Sequence, residues 1–197
     1  PGYDVAGIVV EAGDDMRFRI ADRVMAFLDN TLGNGYAEYA VCAVDSVATI
    51  ADEMPFDVAA AIPLAGCTAL QALRDHGKMQ AGERVLINGA SGGVGVFAVQ
   101  IAAAAGCQVD AVASGQHREF CLQLGASEFY DYEQVNFTEL GKRWDIIFDA
   151  AGKSGYLDAR ASLRTLITLL ELETKYSGKA AKPTPDSTAN NKPITLF

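Results

Sequence analysis

The stretch RVLINGASGGVGVFAVQIA, residues 84–102, decides the fold of this protein. A short apolar run, Val85-Leu86-Ile87, enters a loop with four glycines between Gly89 and Gly95, and an alanine-rich run follows. The short run predicts a buried strand, whereas the longer run of 94–105, which stops at Gly106, predicts a helix. The segment therefore reads as strand, glycine-rich loop and helix.

Two kinds of glycine-rich loop fit that outline poorly. A P-loop needs a lysine after its last glycine, and none follows here. The pentapeptide Gly89-Ala90-Ser91-Gly92-Gly93 matches the nucleophile elbow of hydrolases, which makes Ser91 a formal nucleophile candidate. That class also needs an acid and then a histidine well downstream of the serine. His76 precedes Ser91, and His117 follows it too closely. The hydrolase hypothesis is therefore disfavoured.

The third kind is a dinucleotide fingerprint in which alanine replaces the first glycine, Ala90-x-Gly92-x-x-Gly95. In such a loop Gly92 lets the backbone approach a pyrophosphate, Gly95 lets the helix pack on the strand, and N–H groups at the helix start face the anion. A second predicted strand, 108–113, follows the helix after a short turn and strengthens the match. The alternative is a glycine-rich turn that binds nothing.

Composition restricts the class of protein. The chain has 197 residues, 50% of them apolar, which suffices for one large or two modest domains with a buried core. Its 16 basic and 25 acidic residues give a net charge of −9, which argues against nucleic acid or an anionic membrane as the main partner. Neither a membrane-spanning apolar run nor a signal-peptide pattern is found, so a cytoplasmic location is expected.

The four cysteines, Cys42, Cys67, Cys107 and Cys121, follow neither a metal-binding nor a dense disulfide spacing. We therefore expect buried free thiols in a reducing compartment. No metal site is predicted.

The texture of the sequence changes along the chain. Residues 1–50 contain valine- and tyrosine-rich runs divided by turn residues, which is typical of β structure. Residues 57–77 are alanine-rich and helical, with a kink or break at Pro63 and a stop at Gly77. From Arg84 onward strands and helices alternate, which predicts a parallel sheet with crossover helices. The predicted elements are 85–88, 94–105, 108–113, 116–124, 127–130 and 144–149.

The run WDIIFD, 144–149, predicts a strand buried on both faces and is followed by Ala150, Ala151 and Gly152. In doubly wound sheets the ligand lies outside the carboxyl ends of the strands, so these three residues are expected near it; an ordinary turn is the alternative. Beyond Arg164 the sequence starts apolar and helical and becomes rich in Lys, Pro, Ser, Thr and Asn, as in disordered segments. We expect no further buried strand there, and a flexible, atypical tail over 165–197.

Several motifs together resemble the zinc-independent quinone oxidoreductase branch of the medium-chain dehydrogenase/reductase superfamily. The resemblance covers residues 1–164, with the motifs in the family's order. They are PGYDVAGIVVEAG at 1–13, ADRV at 21–24, GNGYAEYAV at 33–41, IPLAGCTALQAL at 62–73, GERVLINGASGGVG at 82–95, LGASEFYDY at 124–132 and WDIIFDAAG at 144–152. The resemblance implies an α/β fold in which a partial GroES-like β domain, 1–60, precedes an incomplete Rossmann domain with a doubly wound parallel sheet, 61–164.

The resemblance also implies what the chain lacks. Zinc-dependent relatives carry a cysteine-rich loop where residues 25–34 contain no cysteine, and Leu64 stands in place of a cysteine ligand. Cys67 is therefore expected to be structural. Relatives begin earlier and pass through a Pro-Gly-Gly-like turn into another strand where this chain has Thr165-Leu166-Ile167, so we expect a fragment or an alternative product.

The function implied by the resemblance is hydride transfer from NADPH to a quinone or an α,β-unsaturated carbonyl, without zinc. Protein donors or water would stabilise the negative charge that develops on the acceptor. No catalytic residue is assigned, and the partner is a small quinone or enone, with a homodimer as an option for the full-length family form. The alternatives are an enoyl-thioester reductase on the same scaffold and a truncated, non-catalytic nucleotide-binding protein.

The residues assigned to the cofactor fall into four groups. Thr68 is placed near the nicotinamide and Tyr132 at the adenosine phosphate by the resemblance. An NAD-specific fold carries an acid about 20 residues beyond the fingerprint, and this position is Ser114, with no carboxylate before Glu119. Ser114 and Arg118 therefore predict a site for the 2′-phosphate of NADPH, with a solvated Arg118 as the alternative. The remaining assigned residues are Ala90, Ser91, Gly92, Gly93, Val94, Gly95, Ala150, Ala151 and Gly152.

Overall fold

The structure, a computed structural model, describes residues 1–13, 17–28, 33–153, 159, 162–168 and 194–196. The chain divides into two compact units. The first contains residues 1–64 together with the strand at 194–196, and the second begins at Ala65. This division lies four residues beyond the boundary expected after residue 60.

The elements are numbered in chain order within the described segments. The strands are β1 (Asp4–Glu11), β2 (Arg23–Phe27), β3 (Ala40–Cys42), β4 (Val47–Thr49), β5 (Arg84–Asn88), β6 (Gln108–Ala113), β7 (Glu128–Asp131), β8 (Trp144–Asp149), β9 (Leu163–Thr168) and β10 (Ile194–Leu196). The helices are α1 (Phe56–Ala60), α2 (Pro63–Leu70), α3 (Gly93–Ala104) and α4 (Arg118–Gln123). No helix in these segments is long and apolar enough to cross a bilayer.

The first unit is an antiparallel sheet with strand order β3-β10-β1-β2-β4. Alternate residues of neighbouring strands point to one face, so Val9, Val24 and Ala26 share a core. Leu28 and Val44 are also fully buried in that core. The valine-rich runs of the sequence therefore form β structure, as predicted.

The helical region after the first sheet is interrupted where the sequence predicts. Pro63 is the first residue of α2, a position at which its missing N–H removes no helical hydrogen bond. A wider π-helical turn, Gln71–His76, continues α2, and Gly77 ends it by donating its N–H to Ala72 O at 2.8 Å. The predictions of a break at Pro63 and a stop at Gly77 are confirmed.

The second unit is built on a parallel sheet with strand order β7-β6-β5-β8-β9. The chain runs outward from β5 to β7 and then returns to β8 on the other side of β5. Side chains of β5 alternate between two cores: Val85 and Ile87 pack in the core that contains α3, and Leu86 in the other with Trp144 and Ile147. The predicted doubly wound α/β fold is confirmed.

Beyond Arg164 the sequence predicts a helical start and no further buried strand, whereas the structure has strands β9 and β10 there. Strand β9 pairs with β8 from Trp144↔Leu163 to Asp149↔Thr168, and β10 pairs with β1 and β3. Without β9, the edge of β8 would present unpaired N–H and C=O groups, and a run of leucine, threonine and isoleucine suits a strand. The strand was not predicted because the sequence around it has a helical pattern. The expected flexibility of the tail concerns mainly residues 169–193, which lie outside the described residues.

A buried carboxylate lies near the amino ends of the parallel strands. Asp110 is fully buried, and its Oδ2 accepts hydrogen bonds from Arg84 Nη2 at 2.8 Å and Trp144 Nε1 at 2.9 Å. Beside it, Lys142 Nζ donates to Glu128 Oε2 at 2.6 Å. This contact lowers the pKa of Glu128 and raises that of Lys142. Because Asp110 is removed from water, its carboxylate is stabilised by the donors of Arg84 and Trp144.

We predict that Arg84→Met lowers the free energy of unfolding by roughly 3 kcal/mol, because loss of one partner leaves a buried charge uncompensated. The change should be measured by urea denaturation. The matched control is Arg74→Met, since Arg74 pairs with Asp75 at 2.6 Å through side chains that are 61% and 43% exposed. We expect little change in that variant. Equal destabilisation of the two variants would contradict this account of Asp110.

Candidate functional site

The candidate site lies at the carboxyl ends of β5 and β8, where the strand order of the parallel sheet reverses. Asn88 and Asp149 end these strands in register, and Asn88 Nδ2 donates to Asp149 Oδ1 at 2.9 Å. The same oxygen accepts the N–H groups of Ala151 at 3.2 Å and Gly152 at 3.0 Å. Asp149, which is fully buried, therefore fixes the loop after β8. Neither residue is assigned a role from the sequence, although each is the polar end of an apolar strand.

The glycine-rich loop turns at Gly89, one residue before the fingerprint. Gly89 has φ +82°, a conformation that favours glycine. The N–H groups of Gly89 and Ala90 both donate to Val112 O at 3.0 Å, and Gly92 N donates to Gly89 O at 3.0 Å. Ala90 is fully buried in the core of the second unit. Because Gly89 makes the tight turn, the first fingerprint position accepts an alanine.

The last glycine of the fingerprint lies where the helix meets the turn. A Cβ on Gly95 would lie 2.1 Å from Gly89 O and 2.9 Å from Ala90 C. Gly93 differs, since a Cβ there would meet no heavy atom within 4 Å. Gly92 and Gly93 are both exposed. The loop therefore combines a close helix–strand contact at Gly95 with open space beside Gly93, the first residue of α3.

The start of α3 carries backbone N–H groups that have no acceptor within the helix. The first helical hydrogen bond is donated by Val96 N to Gly92 O at 3.0 Å, so the N–H groups of Gly93, Val94 and Gly95 precede it and have no intrahelical acceptor. No described side chain caps this end, and the first turn contains no acidic residue. The N–H groups and the positive end of the helix dipole favour an anion here.

The loop after β8 lies against the glycine-rich loop. Ala150 N donates to Asn88 O at 2.9 Å, and a Cβ on Gly89 would lie 3.0 Å from Ala151 N. The structure thus brings the Ala90–Gly95 residues and the Ala150–Gly152 residues together. Thr68 is half-buried in α2, and its neighbour Ala69 packs in the same core as Ala90.

The residues assigned to the adenosine phosphate gather at the ends of β6 and β7. Ser114 follows β6 and is half-buried, and Tyr132, which is 59% exposed, donates its backbone N–H to Ala113 O at 3.2 Å. Arg118 is the exposed first residue of α4, and its guanidinium carbon lies 5.6 Å from the centre of the Phe129 ring. The carboxyl end of the sheet therefore carries Ser114, Arg118 and Tyr132. The glycine-rich loop lies next to them, because it is hydrogen-bonded to Val112 of β6.

Comparison with known proteins agrees with this geometry. The profile of the zinc-binding dehydrogenase family matches residues 93–168. A quinone oxidoreductase of Sus scrofa is 43% identical over 145 residues, which are 73% of this chain and 44% of that protein. The structure of the quinone oxidoreductase from Coxiella burnetii matches with a TM-score of 0.76 and 31% identity over 85% of this chain and 54% of that chain. The chain belongs to the quinone oxidoreductase branch of the medium-chain dehydrogenase/reductase superfamily.

A further solved member of this branch is the Escherichia coli quinone oxidoreductase complexed with NADPH. It matches with a TM-score of 0.72 and 26% identity over 82% of this chain and 52% of that chain. The chain spans about half the length of these quinone oxidoreductases.

The cysteines of this quinone oxidoreductase homologue differ in exposure. All four are free. Cys42 and Cys121 are buried, as expected, and burial raises the pKa of the Cys121 thiol. Cys67 is exposed and Cys107 is half-buried, so the expectation of buried thiols was wrong for these two. The expectation rested on the usual burial of free cysteines, which does not hold at these two positions. Among the described residues, no three His, Cys, Asp or Glu side chains are grouped to hold a metal ion.

We predict that Gly95→Ala lowers the free energy of unfolding by about 1–3 kcal/mol, the usual cost of overpacking. The new methyl group would collide with the backbone of the turn, which cannot move without displacing the end of β5. The measurement is urea denaturation together with the melting temperature. Gly93→Ala is the matched control in the same loop and should keep wild-type stability. If the control lost as much stability as Gly95→Ala, the close contact would not be the cause.

Proposed function

We propose that this chain forms the nucleotide-binding part of an oxidoreductase that transfers hydride from NADPH to a quinone or an α,β-unsaturated carbonyl without zinc. The observation that carries the proposal is the open start of α3, framed by the glycine-rich loop and the loop after β8 at the point where the strand order reverses. Ligands of doubly wound sheets bind at such points. The NADPH named with the E. coli relative supports a nicotinamide cofactor for this chain as well.

The pyrophosphate would be held by the backbone. Gly92, Gly93, Val94 and Gly95 supply N–H donors and the positive end of α3, and the exposed glycines leave room for the phosphates. Ala90 and Ser91 complete the loop, and Ala150, Ala151 and Gly152 border it on the side of β8. Because the donors belong to fixed backbone, the phosphate oxygens would be bound with little rearrangement of the loop.

The adenosine end carries the preference for NADPH. Ser114 can donate a hydrogen bond to a 2′-phosphate, Arg118 can add a charge-assisted one, and Tyr132 lies at the neighbouring strand end. The contact with the Phe129 ring holds the Arg118 side chain near the carboxyl ends of β6 and β7. Ser114 and Arg118 fit a phosphate because both supply hydrogen-bond donors and Arg118 also supplies a positive charge.

The reaction itself needs little chemistry from the protein. The bound nicotinamide supplies the hydride, and Thr68 in α2 would lie at its reacting end. The chain holds the cofactor and the acceptor in the reacting geometry, and protein donors or water stabilise the negative charge on the acceptor oxygen. Zinc independence rests on Leu64 at the ligand position and on the absence of cysteine from residues 25–34. The four free thiols suit the reducing, cytoplasmic setting that we propose.

The reaction is tested by following NADPH oxidation with quinones, enals and enoyl-thioesters, before and after dialysis against a chelator. We expect turnover of quinones or enals, unchanged by dialysis, in protein that contains no stoichiometric zinc. The E. coli quinone oxidoreductase serves as the positive control. Preference for the thioester would favour the enoyl-thioester reductase. NADPH binding without oxidation of any acceptor would favour the non-catalytic alternative, and loss of activity on zinc removal would contradict zinc independence.

Arg118→Ala should weaken NADPH binding by roughly 10- to 150-fold, the equivalent of one charge-assisted hydrogen bond, and should leave NADH binding unchanged. Fluorescence titration of both cofactors measures the effect. Arg143→Ala is the matched control, because Arg143 is also exposed but directly precedes β8, at the amino end of the parallel strands. A similar loss for both cofactors, or for both variants, would refute the assignment of Arg118 to the 2′-phosphate.

A further inference from the structure

An acidic side chain lies at the same end of the parallel sheet as Ser114 and Arg118, the residues that bind the 2′-phosphate in the proposed function. Asp131 is the last residue of β7 and pairs with Ala113, the last residue of β6. Its carboxylate lies directly beside Gly115, where a Cβ would be 2.5 Å from Asp131 Oδ2 and 3.2 Å from Cγ. Glycine at position 115 thus lets a negative charge approach the backbone of the turn that follows Ser114.

The carboxylate of Asp131 is held in place by its own turn. Its Oδ1 accepts the backbone N–H of Glu133 at 3.0 Å, and its Oδ2 accepts Gln134 Nε2 at 3.0 Å. An amide or hydroxyl oxygen at position 131 would accept the N–H of Glu133 equally well. The turn therefore needs an acceptor at this position but does not need its charge.

Asp131 and Arg118 lie on one side of the sheet. The guanidinium of Arg118 lies over Phe129, and Phe129 and Asp131 are two residues apart on β7, so their side chains point to the same face. Gly115 lies between β6 and α4 at the same end. A phosphate bound by Ser114 and Arg118 would consequently meet one positive and one negative side chain.

We infer that Asp131 is a specificity-determining residue that opposes the 2′-phosphate and so reduces the preference for NADPH over NADH. The inference rests on the proposed function, since it presumes that the adenosine end of the cofactor lies at this edge. A carboxylate repels a phosphate dianion, whereas the neutral 2′-hydroxyl of NADH is not repelled. The acid expected in NAD-specific folds at the end of β6 is thus absent, but β7 provides another acid beside the same turn.

The test compares Asp131→Asn with Glu133→Gln. Both variants remove one negative charge, but Glu133 is exposed and only its backbone N–H contacts the Asp131 carboxylate. The probes are 2′,5′-ADP and 5′-AMP, which differ in the 2′-phosphate, followed by NADPH and NADH. We expect Asp131→Asn to tighten binding of 2′,5′-ADP and NADPH by roughly three- to tenfold, as removal of one nearby charge predicts. Binding of 5′-AMP and NADH should change less than twofold, as should all four ligands with Glu133→Gln.

Further measurements separate charge from folding and the inference from the proposed function. Asp131→Ser also removes the charge but keeps an acceptor for Glu133 N, and it should reproduce the gain; melting temperatures verify that each variant folds. A gain that is equal for the phosphorylated and unphosphorylated ligands, or equal in Glu133→Gln, would overturn the inference alone. If the unmodified protein bound neither NADPH nor NADH, both the proposed function and the inference would fail.

Discussion

The close approach of α3 to the end of β5 is the contact on which the second unit depends. Gly95 has no side chain, so the helix touches the turn at Gly89 through backbone atoms. This contact sets the direction of the helix and hence the direction of its first N–H groups. Through Ala90 and Val112 the same turn is joined to β6, and through Ala151 to the loop after β8. One backbone contact therefore positions donors, turn and neighbouring loop together.

The two ends of the parallel sheet handle charge differently. At the amino ends, Asp110 is buried, pairs with the Arg84 guanidinium and accepts a hydrogen bond from the Trp144 indole N–H. At the carboxyl ends, Asp149 accepts backbone and amide N–H groups, while the first N–H groups of α3 have no acceptor within the helix. The first end is closed by its own side chains. At the second end a helix N-terminus supplies backbone donors, which is the arrangement expected where an anionic ligand binds.

The sequence predicted those features of the fold and site that are encoded locally. Strong apolar periodicity and glycine punctuation located β5 to β8, and the fingerprint located the start of α3. Strand β9 was missed because a six-residue strand at a sheet edge depends on its pairing partner rather than on its own texture. Asp131 was missed because its relevance comes from its distance to Gly115, sixteen positions earlier in the sequence. Asn88 and Asp149 are likewise 61 residues apart and become a pair only in register. Contacts between distant segments thus account for most of what the sequence did not reveal.

Strand β10 has a consequence for the order in which the molecule is completed during synthesis. Residues 194–196 are inserted between β1 and β3, so the first sheet joins segments that are separated by nearly the whole chain. A ribosome would release β1 and β3 long before it supplies their shared neighbour, and both would wait with unpaired edges. The second unit contains no such dependence among its described strands, since β5 to β9 follow one another in sequence. The second unit can therefore form without β10, whereas the first sheet is completed only after residues 194–196 have been synthesised.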